Sequence, residues 1–245
     1  MTCASLVDRW RLHVARASRR TPSKLVEQVG STRSERLAAA FGRDASTECA
    51  SIPAFLALAR DLARAGAPAS LVARAQRSAH EEATHTELCS QLAGEFGGVD
   101  LRALVPLVPA LFDQDEPSLL QRLALESFWD GCVGEGAAAA GARRRREATT
   151  LTAVADALAI IARDEQAHAD LSARIVAFCV DRGGLSVRDA LVESFEQRVG
   201  AEEDALAADP GEDPERMLED AGVAGAAMLR LAREEALEKS RMLLV

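Results

Sequence analysis

The sequence predicts an all-α protein built on a four-helix bundle, and three observations lead there. Hydrophobic residues make up 48% of the 245-residue chain, and many of them are alanine and leucine, which favour helix. Between the glycine and proline breaks the apolar positions recur with a 3.6-residue rhythm, and no alternating strand pattern interrupts it. The motif Glu-x-x-His occurs twice, as Glu82-Ala83-Thr84-His85 and Glu165-Gln166-Ala167-His168. The two copies follow the lone glutamates Glu48 and Glu135 by 34 and 30 residues. The chain therefore reads as two similar halves, each supplying two helices.

Residues 1–34 form an N-terminal extension, with an amphipathic stretch around Leu6, Trp10 and Val14 before a basic, Ser/Thr-rich segment. The bundle is expected over 35–184. Its first helix runs from about Ser34 to Ala65 and is stopped by Gly66 and Pro68. Proline is tolerated where a helix opens, so the second helix starts at Pro68 and continues to about Gly94. Gly97-Gly98 ends it, and a long connection with Pro106, Pro109 and Pro117 follows. The third helix runs from Ser118 to Ala142 and ends in Arg143–Arg146, read as a solvated terminus that complements the helix dipole. Thr149 or Thr150 caps the fourth, which stops at Gly183-Gly184. Residues 185–245 add two or three helices, expected to pack on one side of the bundle or to form a subunit interface.

On a helix, residues three apart share a face, so each Glu-x-x-His can bind one metal ion. Counting by three and four from Glu165 reaches Leu158, Ile161, His168, Leu171 and Ile175. The same count from Glu48 gives Ile52 and Phe55, and from Glu135 it gives Leu125, Phe128 and Cys132. From Glu82 and His85 it runs through Ala75, Ser78, Ala79, Cys89 and Leu92. Ionisable side chains thus lie on buried stripes, where a charge without a partner costs several kcal/mol. Divalent cations supply the compensation, and the expected ligands are Glu48, Glu82, His85, Glu135, Glu165 and His168. That set matches a dinuclear iron or manganese site inside a four-helix bundle. Glu81 also lies within a turn of His85, but the second motif's spacing selects Glu82 and leaves Glu81 as an outer or surface residue. His80 and Asp164 fall off the ligand stripe, and His13 lies outside the bundle.

Gly131, Gly134 and Gly136 flank Glu135. Glycine inside a helix costs about 1 kcal/mol against alanine. Two reasons stand side by side: a pocket or locally irregular turn, as π-bulges provide at metal sites, or close packing of neighbouring helices. Phe55, Phe128 and Ile52 are then pocket walls or core. Cys89 and Cys132 are expected to face the interior, as small hydrophobes or, less simply, as a metal or redox partner.

At this point the chain resembles the ferritin-like di-iron carboxylate superfamily, over about residues 35–182, in the order Glu48, Glu82–His85, Glu135, Glu165–His168. Glu48-Cys49-Ala50-Ser51-Ile52-Pro53-Ala54-Phe55 and Asp164-Glu165-Gln166-Ala167-His168-Ala169 also resemble a bacterial ferritin-like group of unassigned function. The resemblance implies a ferritin-like bundle whose long connection between helices two and three is a crossover. It implies two iron ions, with an iron–manganese pair as the variant. Glu82 and Glu165, or Glu48 and Glu135, would bridge or cap the metals, with one histidine per metal. It also implies a non-haem di-iron oxidoreductase, of monooxygenase type, that activates dioxygen and oxidises a small organic substrate. The alternative is a ferroxidase or iron-handling protein, and a third reading is a silent module that keeps the metal as a structural pin.

Composition narrows the partners. A net charge of −9 argues against a nucleic-acid surface and gives no attraction to anionic membranes. No stretch approaches the roughly 20 apolar residues of a spanning helix, and Asp8, Arg9, Arg11 and His13 interrupt any leader-like segment. Five widely spaced cysteines without Cys-x-x-Cys fit reduced thiols in a cytoplasmic protein. They supply no rubredoxin-like module, so electrons are expected from an external donor or from the substrate; a homodimer is compatible. The absence of tyrosine excludes a tyrosyl radical, leaving Trp10 and Trp129 as the easily oxidised aromatics.

Overall fold

The computed structural model describes residues 26, 29–98, 119–207, 213 and 215–244, and among these every regular element is helical. Helix α1 is Ser31–Arg64, α2 is Ala69–Glu95 and α3 is Leu119–Glu126. A π-helical segment, Ser127–Glu135, joins α3 to α4, Gly136–Ala148. Helix α5 is Thr152–Gly183, α6 is Leu185–Ala207 and α7 is Ala226–Arg241. Short 3₁₀ turns occupy Arg216–Ala221 and Met242–Leu244. The expected amphipathic stretch near Trp10 and the 99–118 connection lie outside the described residues.

Side-chain contacts give the helix directions. Ser34 Oγ donates to the Phe96 carbonyl (2.7 Å), so α1 begins where α2 ends. Arg122 reaches Asp61 (2.9 Å) and Arg145 reaches Asp44, so α3–α4 runs opposite to α1. His85 meets Asp164 and His168 meets Glu81, so α5 runs opposite to α2. The second and third bundle helices therefore share a direction. The end of α2 and the start of α3 thus lie at opposite ends of the bundle, ~40 Å apart for a helix of this length. Twenty residues span that readily, since extended chain reaches ~3.3 Å per residue.

The core divides into two apolar layers. One holds Leu37, Phe41, Leu92, Phe96, Leu158 and Ile161; the other holds Leu62, Leu71, Leu123, Phe128, Leu171 and Ile175. The Glu/His residues lie between them in sequence on every helix. Truncating a leucine in either layer costs roughly 2–5 kcal/mol, and the polar layer between contributes no such burial. Its charges have to be balanced another way.

Helix ends follow the expected breaks closely. Gly184 closes α5 at φ 61°, a left-handed conformation that glycine alone adopts without strain. Two expectations need correction. Thr149 and Thr150 do not cap α5, whose N-cap is Leu151. Their hydroxyls instead donate to the Asp220 carbonyl (3.3 and 3.1 Å), tying the loop to the C-terminal 3₁₀ turn. The third bundle helix runs on to Ala148, and of the arginine run Arg146 is exposed as expected whereas Arg143, Arg144 and Arg145 are not a solvated terminus. Arg143 and Arg144 both bind Glu235 of α7 (2.8 Å each). Arg145 bonds Asp44 and the Gly222 carbonyl. The arginines dock the C-terminal extension, and α7 covers α4 and the π segment.

The glycine cluster has both of its expected reasons. The chain is π-helical from Ser127 to Glu135, and a Cβ at Gly131 would collide with the Ser172 side chain on α5. We expect Gly131→Ala to destabilise the metal-free protein by roughly 1–3 kcal/mol through overpacking. Ser172→Gly added to Gly131→Ala should restore melting. A single variant that melts like the parent would contradict this packing.

Candidate metal centre

The helices that carry the paired motifs, α2 and α5, are uninterrupted. Those that carry the single glutamates are not. Glu48 lies five residues before Pro53, which cannot donate to the Cys49 carbonyl. Glu135 is the last residue of the π segment. The four bundle helices bring all six predicted ligands into one layer.

Two overlapping groups can each hold a metal ion. One is Glu48, Glu82, His85 and Glu165; the other is Glu82, Glu135, Glu165 and His168, with donor atoms in each group within 4.8 Å of one another. Glu82 and Glu165 belong to both. Glu165 Oε1 lies 3.1 Å from His85 Nδ1 while its Oε2 lies 3.3 Å from His168 Nδ1. Glu82 Oε1 lies 3.0 Å from His168 Nδ1 and its Oε2 lies 3.9 Å from His85 Nδ1. Each shared carboxylate thus turns one oxygen to each histidine. Glu82 and Glu165 each face both histidines, whereas Glu48 belongs to one group and Glu135 to the other.

The donor set fits a cation better than it fits itself. Glu82, His85, Glu165 and His168 are all buried, at 2% exposure or less. Glu82 Oε1 and His85 Nδ1 are close to opposite charges but lack the angles of a hydrogen bond, and both are left without a partner. Buried polar atoms are normally satisfied. A carboxylate oxygen and an imidazole nitrogen left without a hydrogen-bond partner in one acidic layer are two ligand atoms that a bound divalent ion would satisfy.

The protons carried by the metal-free layer show the same conflict. Burial, aided by the Glu165 and Glu48 charges, pushes Glu82 up to about 8 against the pull of His168. Burial and the neighbouring Glu165 hold Glu135 well above the usual carboxylate range. Burial would raise Glu165 too, but bonds from His168, His85 and Glu135 outweigh it and hold it well below. Burial disfavours both imidazolium ions, yet their carboxylate partners raise His85 to about 11 and His168 to about 9. Protons thus stand in for cations in this layer.

Two further residues belong to the centre. Glu81 accepts from His168 Nε2 (2.8 Å), and Asp164 Oδ2 lies 3.4 Å from His85 Nε2. Each histidine thus faces the ligand layer with Nδ1 and meets a carboxylate of the opposite helix with Nε2, the arrangement that orients a metal-binding imidazole. Asp164 was expected off the stripe and is buried. The missed signal is an acid immediately before each motif glutamate, Glu81-Glu82 and Asp164-Glu165.

The remaining candidates sort plainly. Ile52, Phe55 and Phe128 are packed in the core, and Phe55 lies against the His168 ring (4.8 Å between centroids). His80 is exposed and bonded to the Gln76 carbonyl (2.8 Å). Cys89 and Cys132 are buried, and burial pushes both thiols up, Cys132 to about 12, which suits small hydrophobes rather than thiolate ligands. Trp129 donates to Ser194 Oγ (2.9 Å), stacks on Phe195 and lies under the Arg198 guanidinium (4.0 Å). No helix among the described residues is long and apolar enough to cross a membrane. No family model, curated protein or solved structure matches the chain.

Proposed function

We propose that the chain is a non-haem dinuclear metal oxidoreductase on a ferritin-like bundle, with two iron ions, or an iron–manganese pair, as its cofactor. The observation that carries this reading is the pair of overlapping donor groups that share Glu82 and Glu165. Two ferrous ions held this way supply two electrons together to dioxygen. Hard, anionic carboxylates suit ions that change charge, and one imidazole per ion adds stronger-field ligation.

The chain's own residues do the rest. Glu82 and Glu165 would be shared by the two ions, and Glu48 and Glu135 would each hold one. Glu81 and Asp164 orient the imidazoles. The apolar layers above and below keep bulk water away, which strengthens every charge interaction between them. A small organic molecule is the proposed substrate. Electrons come from that substrate or from an external donor, since no Cys-x-x-Cys module is present. Buried, unbridged cysteines fit a reducing compartment such as the cytoplasm.

One observation favours a second reading, iron oxidation without an organic substrate. Phe55 packs on the His168 ring, and Ile52 and Phe128 are buried in the core. The hollow lined by Leu88, Gln91, Leu92, Glu95, Ala153 and Ala157 includes none of the six. Anaerobic loading with Fe(II), followed by dioxygen, separates the readings. Uptake that stops near two irons per chain, with oxidant consumed only alongside an added organic substrate, supports the oxidoreductase. Continued iron accumulation as a mineral would move the assignment to iron handling.

A further inference from the structure

The two halves of the Glu/His layer differ in how firmly their histidines are held. His168 Nε2 bonds Glu81 at 2.8 Å, and Glu81 is itself bonded by Arg74 (2.7 Å). Arg74 also donates to Ser78 Oγ (3.0 Å) and is only 15% exposed, so this chain of contacts is internal to α2. The Phe55 ring lies against the opposite side of the layer, on the His168 ring itself. The imidazole is thus fixed in plane, with Nε2–H donating outward to Glu81 and Nδ1 turned to Glu82 and Glu165 in the ligand layer.

His85 has weaker support. Its Nε2 lies 3.4 Å from Asp164, beyond a good hydrogen bond. Asp164 is paired with Arg163, which is 71% exposed and is its neighbour in the chain. The closing glutamates, Glu48 and Glu135, are both partly exposed, so the difference between the halves lies in the histidines' outer partners. Glu48 stands one turn before the proline-interrupted part of α1.

We infer that the two metal positions are unequal: the His168–Glu135 position takes the first ion and holds it tightly, and the His85–Glu48 position holds the second more weakly and exchanges it with solvent. The physical reason is preorganisation. An imidazole already locked by an outer carboxylate spends no freedom on binding, and losing such a partner typically weakens a metal by ~10–100-fold. An imidazole whose outer contact is long, and backed by an exposed arginine, must be ordered by the ion itself. Glu81 is on this account a positioning residue for one metal. The inference rests on the dinuclear reading above. Unequal positions would also permit two different metals in one chain.

Calorimetric titration of the metal-free full-length protein with Mn(II), read together with electron paramagnetic resonance, tests it. Two steps are expected, the first tighter by about tenfold or more, in line with the effect of one outer-shell partner. At one equivalent the Mn(II) should give an isolated-ion signal, and a spin-coupled signal should grow only with the second. Glu81→Ala should weaken the first step by ~10–100-fold and leave the second nearly as it was, while Glu81→Gln, which keeps an acceptor, should restore most of the loss. Asp164→Ala should disturb the second step only. If Glu81→Ala does not fold, Phe55→Leu should weaken the same first step. Two equal steps, a coupled signal already at one equivalent, or a Glu81→Ala effect confined to the second step would overturn the inference. Fewer than two ions bound in total would instead remove the dinuclear reading.

Discussion

Glu165→Gln is expected to abolish tight binding of both metals with one substitution, whereas His85→Ala and His168→Ala should each cost one. The difference follows from where the oxygens point. Glu165 turns one oxygen towards His85 and the other towards His168, at 3.1 and 3.3 Å. Replacing the carboxylate by an amide removes an anionic donor from both positions at once, a larger loss than the ~10–100-fold of an outer partner. Each histidine serves a single position. Glu165 also holds both imidazolium ions in the metal-free protein, and removing one partner of a buried ion pair costs roughly 3–5 kcal/mol. Melting of the metal-free variant must therefore be recorded alongside metal content after desalting. A Glu165→Gln protein that folds and retains two metals per chain would contradict the shared role.

The second large effect is a pH-dependent stabilisation by metal. At pH 7, in the metal-free state, Glu82, Glu135, His85 and His168 carry protons. Binding as carboxylates and neutral imidazoles displaces one from each, so two divalent ions should release about four protons. Charge balance explains the exchange, since two doubly charged ions replace four singly charged protons. Above pH 6 the raised groups share one sign, while Glu165, held low, loses its contribution only in acid. The raised histidines contribute stability that is fully present below their unfolded value near 6.5 and is lost as pH rises through about 9 and 11. Glu82, raised to about 8, costs stability progressively as pH climbs from its unfolded value near 4.5. The metal-free fold therefore weakens with rising pH, while metal competes with fewer protons. The upward melting shift caused by Mn(II) or Fe(II) should grow between pH 6 and pH 8, and Glu135→Ala should reduce it. A shift that is constant or shrinks over that range would show that these groups are not the ligands.

How much of this was legible in the sequence differs from residue to residue. The six ligand candidates were readable because helical periodicity puts a charge on an apolar stripe only for a reason, and the two halves repeated the pattern. The order of helices, the breaks at Gly66, Gly97-Gly98 and Gly184, and the irregularity beside Glu135 came from the same local rules. Glu81 was read as an outer or surface residue and is an outer one, but against His168 of the opposite helix; Asp164 was set aside because counting along one helix finds only that helix's own face. Arg143–Arg145 were read as solvent-facing for the same reason: Glu235, Asp44 and the Gly222 carbonyl are distant in the chain. Choosing Glu82 and Glu165 as the shared pair required the directions of individual oxygens, which no spacing rule carries.

Anomalous diffraction from crystals grown with Mn(II) tests the central claim most directly. Two peaks are predicted within the layer between the apolar cores, both bounded by Glu82 and Glu165. One should lie beside His85 and Glu48, the other beside His168 and Glu135. A single peak that remains at saturating metal, or peaks only outside this layer, would contradict a dinuclear centre.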